Sequence, residues 1–108
     1  MKIRERYTKF TQEVYVVYWA EFQGKRERYH CVIPEDGYPG FISVPESECD
    51  LVDPSLDGLV ITNLGEGRDV LMNPVLADDN FLYQRLIDHD PDAMREFLYL
   101  LSSKPATK

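Results

Sequence analysis

A chain of 108 residues, 44% hydrophobic and 12% aromatic, can bury about two-thirds of its unfolded surface around one core, which excludes a disordered chain and a disulfide-stapled miniprotein. Its formal net charge of −7 argues against sequence-independent nucleic-acid binding, which needs clustered Lys and Arg to neutralise phosphates. The charged opening Met1-Lys2-Ile3-Arg4-Glu5-Arg6 has no apolar stretch behind it, and no apolar run approaches the roughly 18 residues of a membrane span, so neither a signal peptide nor a membrane partner is expected.

Residues 2 to 10 alternate weakly between apolar and polar and are expected to pair at the side of a hairpin that follows. That hairpin is the strongest signal in the chain. Glu13 to Gln23, EVYVVYWAEFQ, alternates with β-branched and aromatic residues and reads as a strand. Gly24-Lys25 then suits a type II′ turn into a second strand, Arg26 to Ile33. This turn sets Gln23 opposite Arg26, Glu21 opposite Arg28, Trp19 opposite His30 and Tyr18 opposite Cys31. One face then carries Val16, Tyr18, Ala20, Phe22, Tyr29, Cys31 and Ile33 and is expected to be core. The other carries Tyr15, Val17, Trp19, Glu21, Arg28, His30 and Val32. Aromatic side chains with an Arg at their rim are typical of interface cores, so Tyr15, Trp19, Arg28 and His30 are read as a candidate face for a homodimer, unless the N-terminal segment covers them.

Pro34 to Asp57 is the anomaly. Seven carboxylates fall between Glu35 and Asp57 with no Lys or Arg among them. Gly40 to Val44 can form a short strand, but the stretch otherwise reads as a connection of about twenty residues, and such loops are uncommon in compact domains unless they are functional or ordered by packing. Tyr38, Phe41 and Ile42 are its expected anchors, with Tyr38 and Phe41 part of the expected partner surface. Glu46, Glu48, Asp50, Asp53 and Asp57 would project from it as a surface for a basic protein partner.

Two further strands, Gly58 to Leu64 and Asp69 to Asn73, flank the turn signal Gly65-Glu66-Gly67-Arg68. The period then changes. Asn73-Pro74 can cap a helix with Pro at its first position, and Leu82, Tyr83, Leu86 and Ile87 fall on one side of it. Asp90-Pro91 opens a second helix with Met94, Phe97, Leu98 and Leu101 at helical spacing. The expected fold is α+β: two layers, a mainly antiparallel sheet of five or six strands followed by two C-terminal helices packed on one face, in a single domain over residues 1–101 with a flexible tail at 102–108.

Chemistry is sparse. His30, Cys31, Cys49 and His89 are the only soft-metal ligands and have no zinc-site spacing; adjacent His30 and Cys31 point to opposite faces of a strand. Gly65-Glu66-Gly67 lacks the third glycine and the helix of a dinucleotide fingerprint. Neither a metal, a cofactor nor a catalytic residue is assigned. Two cysteines suggest a reduced, cytoplasmic setting. Glu35, Asp36, Gly37, Tyr38 and Ser43-Val44-Pro45 resemble the hairpin of HicB-type antitoxins. The likeness ends at Pro45, where those antitoxins enter a helix and this chain supplies more strands, so it is read as shared turn chemistry and no family is assigned. In size and charge the chain is also similar to bacterial toxin-immunity proteins. The expected function is a small acidic protein-interaction module, of the immunity-protein, antitoxin or inhibitor kind. The alternative is a small-molecule binder or enzyme with an aromatic pocket between sheet and helices.

Overall fold

The computed structural model describes residues 1–6, 9–35, 37–65 and 68–103, and of Phe22 the backbone only. The Phe22 side chain, Asp36, the Glu66-Gly67 turn and the tail beyond Ser103 therefore lie outside the described residues.

The protein is α+β, with the expected antiparallel five-stranded sheet followed by C-terminal helices. The strands of the main sheet are β3 (Val16–Phe22), β4 (Lys25–Val32), β5 (Ile42–Pro45), β7 (Val60–Asn63) and β8 (Asp69–Met72), in the order β5-β4-β3-β8-β7. A second antiparallel sheet of three strands, β2-β1-β6, is built from β1 (Lys2–Glu5), β2 (Thr11–Glu13) and β6 (Cys49–Asp53). The N-terminal segment therefore pairs with β2 and β6 instead of joining the side of the hairpin. What reads as one strand from Glu13 to Gln23 is divided between the two sheets, with Val14 and Tyr15 at the crossing.

The hairpin register differs from the expected one by two residues. Gln23 and Gly24 both have positive φ, 54° and 78°, so they form the two-residue loop themselves, as a type I′ turn requires. Phe22 then faces Lys25, Trp19 faces Arg28 and Tyr18 faces Tyr29. A slip of two preserves the side-chain period of a strand, so within β3 and β4 the two faces keep the membership expected of them while every cross-strand pair changes; Tyr15, before β3, turns to the helical face instead.

At the Val16–Val17 end of the hairpin both faces are buried. On one, Val16, Cys31 and Met72 pack with Phe41, Leu76, Leu82, Leu86, Ala93 and Phe97 beneath the helices. On the other, Val17, Val32 and Val44 pack with Met1, Ile3, Val14 and Cys49 of the three-stranded side. The smaller sheet thus adds a third layer to the two expected.

The helical third holds three helices among the described residues. α1 (Pro74–Ala77) is capped by Asn73, whose Oδ1 accepts from Val75 N at 3.0 Å. The period continues, but Asp79 is in an extended conformation and its Oδ1 accepts from Leu82 N at 3.1 Å, which starts α2 (Asn80–Ile87) afresh. An Asp that satisfies an orphan N–H outside the helix competes with helical continuation. α3 (Pro91–Ser103) buries Ala93, Met94 and Phe97 and runs two residues into the expected tail, while Leu98, expected inside, is 46% exposed.

Candidate functional site

The acidic stretch is structured. It contains β5, a single 3-10 turn at Glu46–Glu48, and β6, so the twenty-residue loop read from sequence does not exist. Phe41 is 4% exposed, stacked on Tyr15 at 5.8 Å and edge-on to Phe97 at 5.7 Å. It anchors the segment to the core and offers nothing to a partner. Tyr38 is half-buried, with its ring edge-on to His89 at 5.3 Å. His89 Nε2 in turn lies 3.1 Å from the Phe41 carbonyl, to which it can donate.

The carboxylates divide into two sets. Glu46 pairs with Arg28 and Asp50 with Arg6, each at 3.3 Å. Asp53 Oδ1 accepts from the Ser55 amide at 3.0 Å. Glu48 and Asp57 are exposed and have no ion pair among the described residues. Carboxylates without an ion pair among the described residues thus include Glu35 at the start of the stretch and Glu48, Asp53 and Asp57 in its C-terminal half. Exposed aliphatic side chains sit there too: Leu51 43%, Val52 46%, Leu56 47%, Val60 41% and Ile61 77%. The sequence reading stopped at Asp57 and took Gly58 to Leu64 for an ordinary sheet strand. The signal that distinguishes it is position, since β7 ends the sheet order and pairs with β8 alone.

The four residues read as a dimer face do not share a surface. Tyr15 turns to the helical side, edge-on to Phe97 at 5.3 Å. Trp19 is 42% exposed and sits opposite Arg28, which the Glu46 carboxylate holds. His30 is fully buried. Its Nδ1 lies 3.1 Å from the Val44 carbonyl and so carries the proton, while Nε2 has no partner among the described residues. Burial holds its pKa below the ordinary imidazole value, with the Val44 hydrogen bond opposing in part, so the ring is neutral.

Cys49 Sγ lies 3.8 Å from His30 Nδ1. This pair is not an activated nucleophile. The nitrogen facing the sulfur donates to a carbonyl, and burial pushes the Cys49 thiol up, away from thiolate. Cys31 is pushed up to about 11 by burial. Both cysteines are unpaired thiols. No group of three or more His, Cys, Asp or Glu among the described residues could hold a metal ion.

A second feature lies where the alternative reading expects an aromatic pocket, between sheet and helices. β3 and β8 pair only through Val16–Met72 and Val17–Leu71. Beyond that point a groove of about 790 Å³ opens between the sheet and α2. Its walls are the Tyr18–Ala20 segment of β3, the Leu64 and Arg68–Val70 region, and Asn80, Tyr83 and Gln84 of α2. Tyr18 is fixed by its hydroxyl, 2.9 Å from Ser43 Oγ, and by stacking on Tyr29 at 5.3 Å. Burial raises the pKa of Tyr83, keeping its phenol protonated. Arg26 also lines the groove.

No helix among the described residues is long and apolar enough to cross a membrane. Comparison with protein-family models, with curated proteins and with solved structures finds no match to this chain.

Proposed function

We propose that the protein is a small acidic interaction module, of the immunity-protein, antitoxin or inhibitor kind, that engages a basic protein partner. The observation that carries this reading is the segment from Glu48 to Ile61, where five aliphatic side chains stand 41–77% exposed and alternate in sequence with Glu48, Asp50, Asp53 and Asp57. Exposed apolar side chains among acids of one sign suit a partner of opposite charge: burial supplies affinity, and charge supplies encounter rate and specificity. The two buried, unpaired thiols fit a reducing, cytoplasmic setting of a bacterial or phage protein.

Glu48, Asp53 and Asp57 changed together to amides should leave the fold intact and slow association with a co-purifying basic protein, most strongly at low salt. Ile61→Ser should instead speed dissociation without altering the salt dependence. Association unchanged by both variants would remove this surface from the reading. Glu46 and Asp50 are poorer probes, because neutralising them also releases Arg28 and Arg6.

A further inference from the structure

The groove between the sheet and α2 has an unusual wall. From Tyr18 to Phe22, β3 hydrogen-bonds to β4 on one side. On its other side β8 has already diverged, and among the described residues no backbone or side-chain hydrogen bond reaches those main-chain groups. Alternate residues of this segment therefore present N–H and C=O groups without a partner among the described residues, along a groove flanked by α2 whose lining runs from Tyr18 to Ala20.

Free strand edges invite pairing, and proteins blunt them by shortness, Lys, Pro or a bulge. The outermost strand β7 is blunted in this way, being only four residues long. The β3 edge is not: it reads Tyr-Trp-Ala-Glu-Phe, with one charge, and spans about 17 Å at the rise of an antiparallel strand. It runs along the groove toward the exposed end of the hairpin, where Trp19 is 42% exposed.

The cleft also has a charge of its own. In a protein of net charge −7, both Arg26 and Arg68 line it, and neither is in an ion pair among the described residues. The one carboxylate on the lining, Asp69, accepts from Asn63 Nδ2 at 2.9 Å. Two uncommitted guanidinium groups beside an open strand edge complement an extended chain that bears carboxylates.

We propose that this cleft receives an extended, carboxylate-bearing polypeptide segment, which adds a strand to the edge of β3 between Tyr18 and Phe22. Main-chain hydrogen bonds to β3 supply affinity. Arg26 and Arg68 select acidic side chains, and Tyr18 and Tyr83 pack against the occupant. The site is separate from the surface at residues 48–61 and stands independently of it.

The test is selection of a random linear twelve-residue peptide library on the full chain, followed by titration of the recovered peptides. Peptides enriched in Asp and Glu are expected, with affinity falling about tenfold or more in Arg26→Glu/Arg68→Glu, a loss typical of a close charge pair. Ile61→Ser should leave that affinity unchanged. Bound peptide should protect alternate amides between Tyr18 and Phe22 from hydrogen exchange, and N-methylation of alternate peptide residues should abolish binding. Recovery of no peptide sensitive to the charge reversal, or binding without protection at β3, overturns the proposal. So does protection of β3 that depends on protein concentration in the absence of peptide, since the edge would then pair with a second copy.

Discussion

Phe97→Ala is the sharpest test of how the helices cover the sheet. Phe97 is fully buried, edge-on to Tyr15 at 5.3 Å and to Phe41 at 5.7 Å. It joins three parts of the chain: α3, the crossing between the two sheets, and the entry to β5. Truncating a buried Phe costs about 3–5 kcal/mol in lost transfer and cavity energy, and each favourable ring pair contributes about 0.5–1.5 kcal/mol beyond its area. Part of the ring-pair energy is already counted in the truncation figure, so about 4 kcal/mol is expected. Against a total stability of about 5–15 kcal/mol, the variant should still fold. Urea unfolding followed by circular dichroism measures the loss, with Phe81→Ala as the control on an exposed ring, 72% accessible. Phe81→Ala should change stability by less than about 0.5 kcal/mol, as exposed sites usually do. A loss below about 1 kcal/mol for Phe97→Ala, at an unchanged denaturant slope, would refute the packing of α3 on Tyr15 and Phe41.

Gly40→Ala should destabilise by about 1–3 kcal/mol or more, because a Cβ there would meet His89 Cδ2 at 2.3 Å and the Leu86 carbonyl at 2.4 Å; thermal unfolding checks it. Gln23→Asn should stabilise the hairpin by a few tenths of a kcal/mol, since Asn tolerates the positive φ of a type I′ turn better than Gln. His30 has a folded pKa below its unfolded value, so the unfolded chain binds more protons as pH falls. Stability should therefore be full above the unfolded pKa of about 6.5 and decline below it, and His30→Gln should flatten that slope in urea titrations at several pH values. Cys31, with its pKa raised to about 11, should resist alkylation at neutral pH until the protein is unfolded, as mass spectrometry would show.

Much of the fold was legible because its signals are local. The β3–β4 alternation, the strand signals of β7 and β8 and the capping residues Asn73 and Asp90 act within a few positions of themselves. Errors arose where two local choices compete. Gly24 can open a type II′ turn or close a type I′ turn; the second requires Gln23 at positive φ, an uncommon state that composition does not advertise. Asp78-Asp79 can be the first turn of a helix or a break between two helices, and the Asp79 cap decides for the break.

The acidic stretch misled for a different reason, and the same reason explains the third layer. Val17, His30 and Val32 stand opposite the helical face and are fully buried or nearly so. A sheet strand with apolar residues on both faces needs cover on both, so the hairpin sequence does state that something must close over its second face. It does not state what. The cover includes β6, Cys-Asp-Leu-Val-Asp, which buries only Cys49 and leaves Leu51 and Val52 exposed. With one inward residue in five, β6 has almost no alternation to read, and its acids pass for loop. Two ion pairs reach this region from more than fifteen residues away, Arg6 on Asp50 within β6 and Arg28 on Glu46 in the turn before it. A strand held by distant pairing and an ion pair, with its apolar side chains turned outward, spends little of its sequence on its own fold. That freedom from packing leaves Leu51 and Val52 exposed, as the proposed partner surface requires.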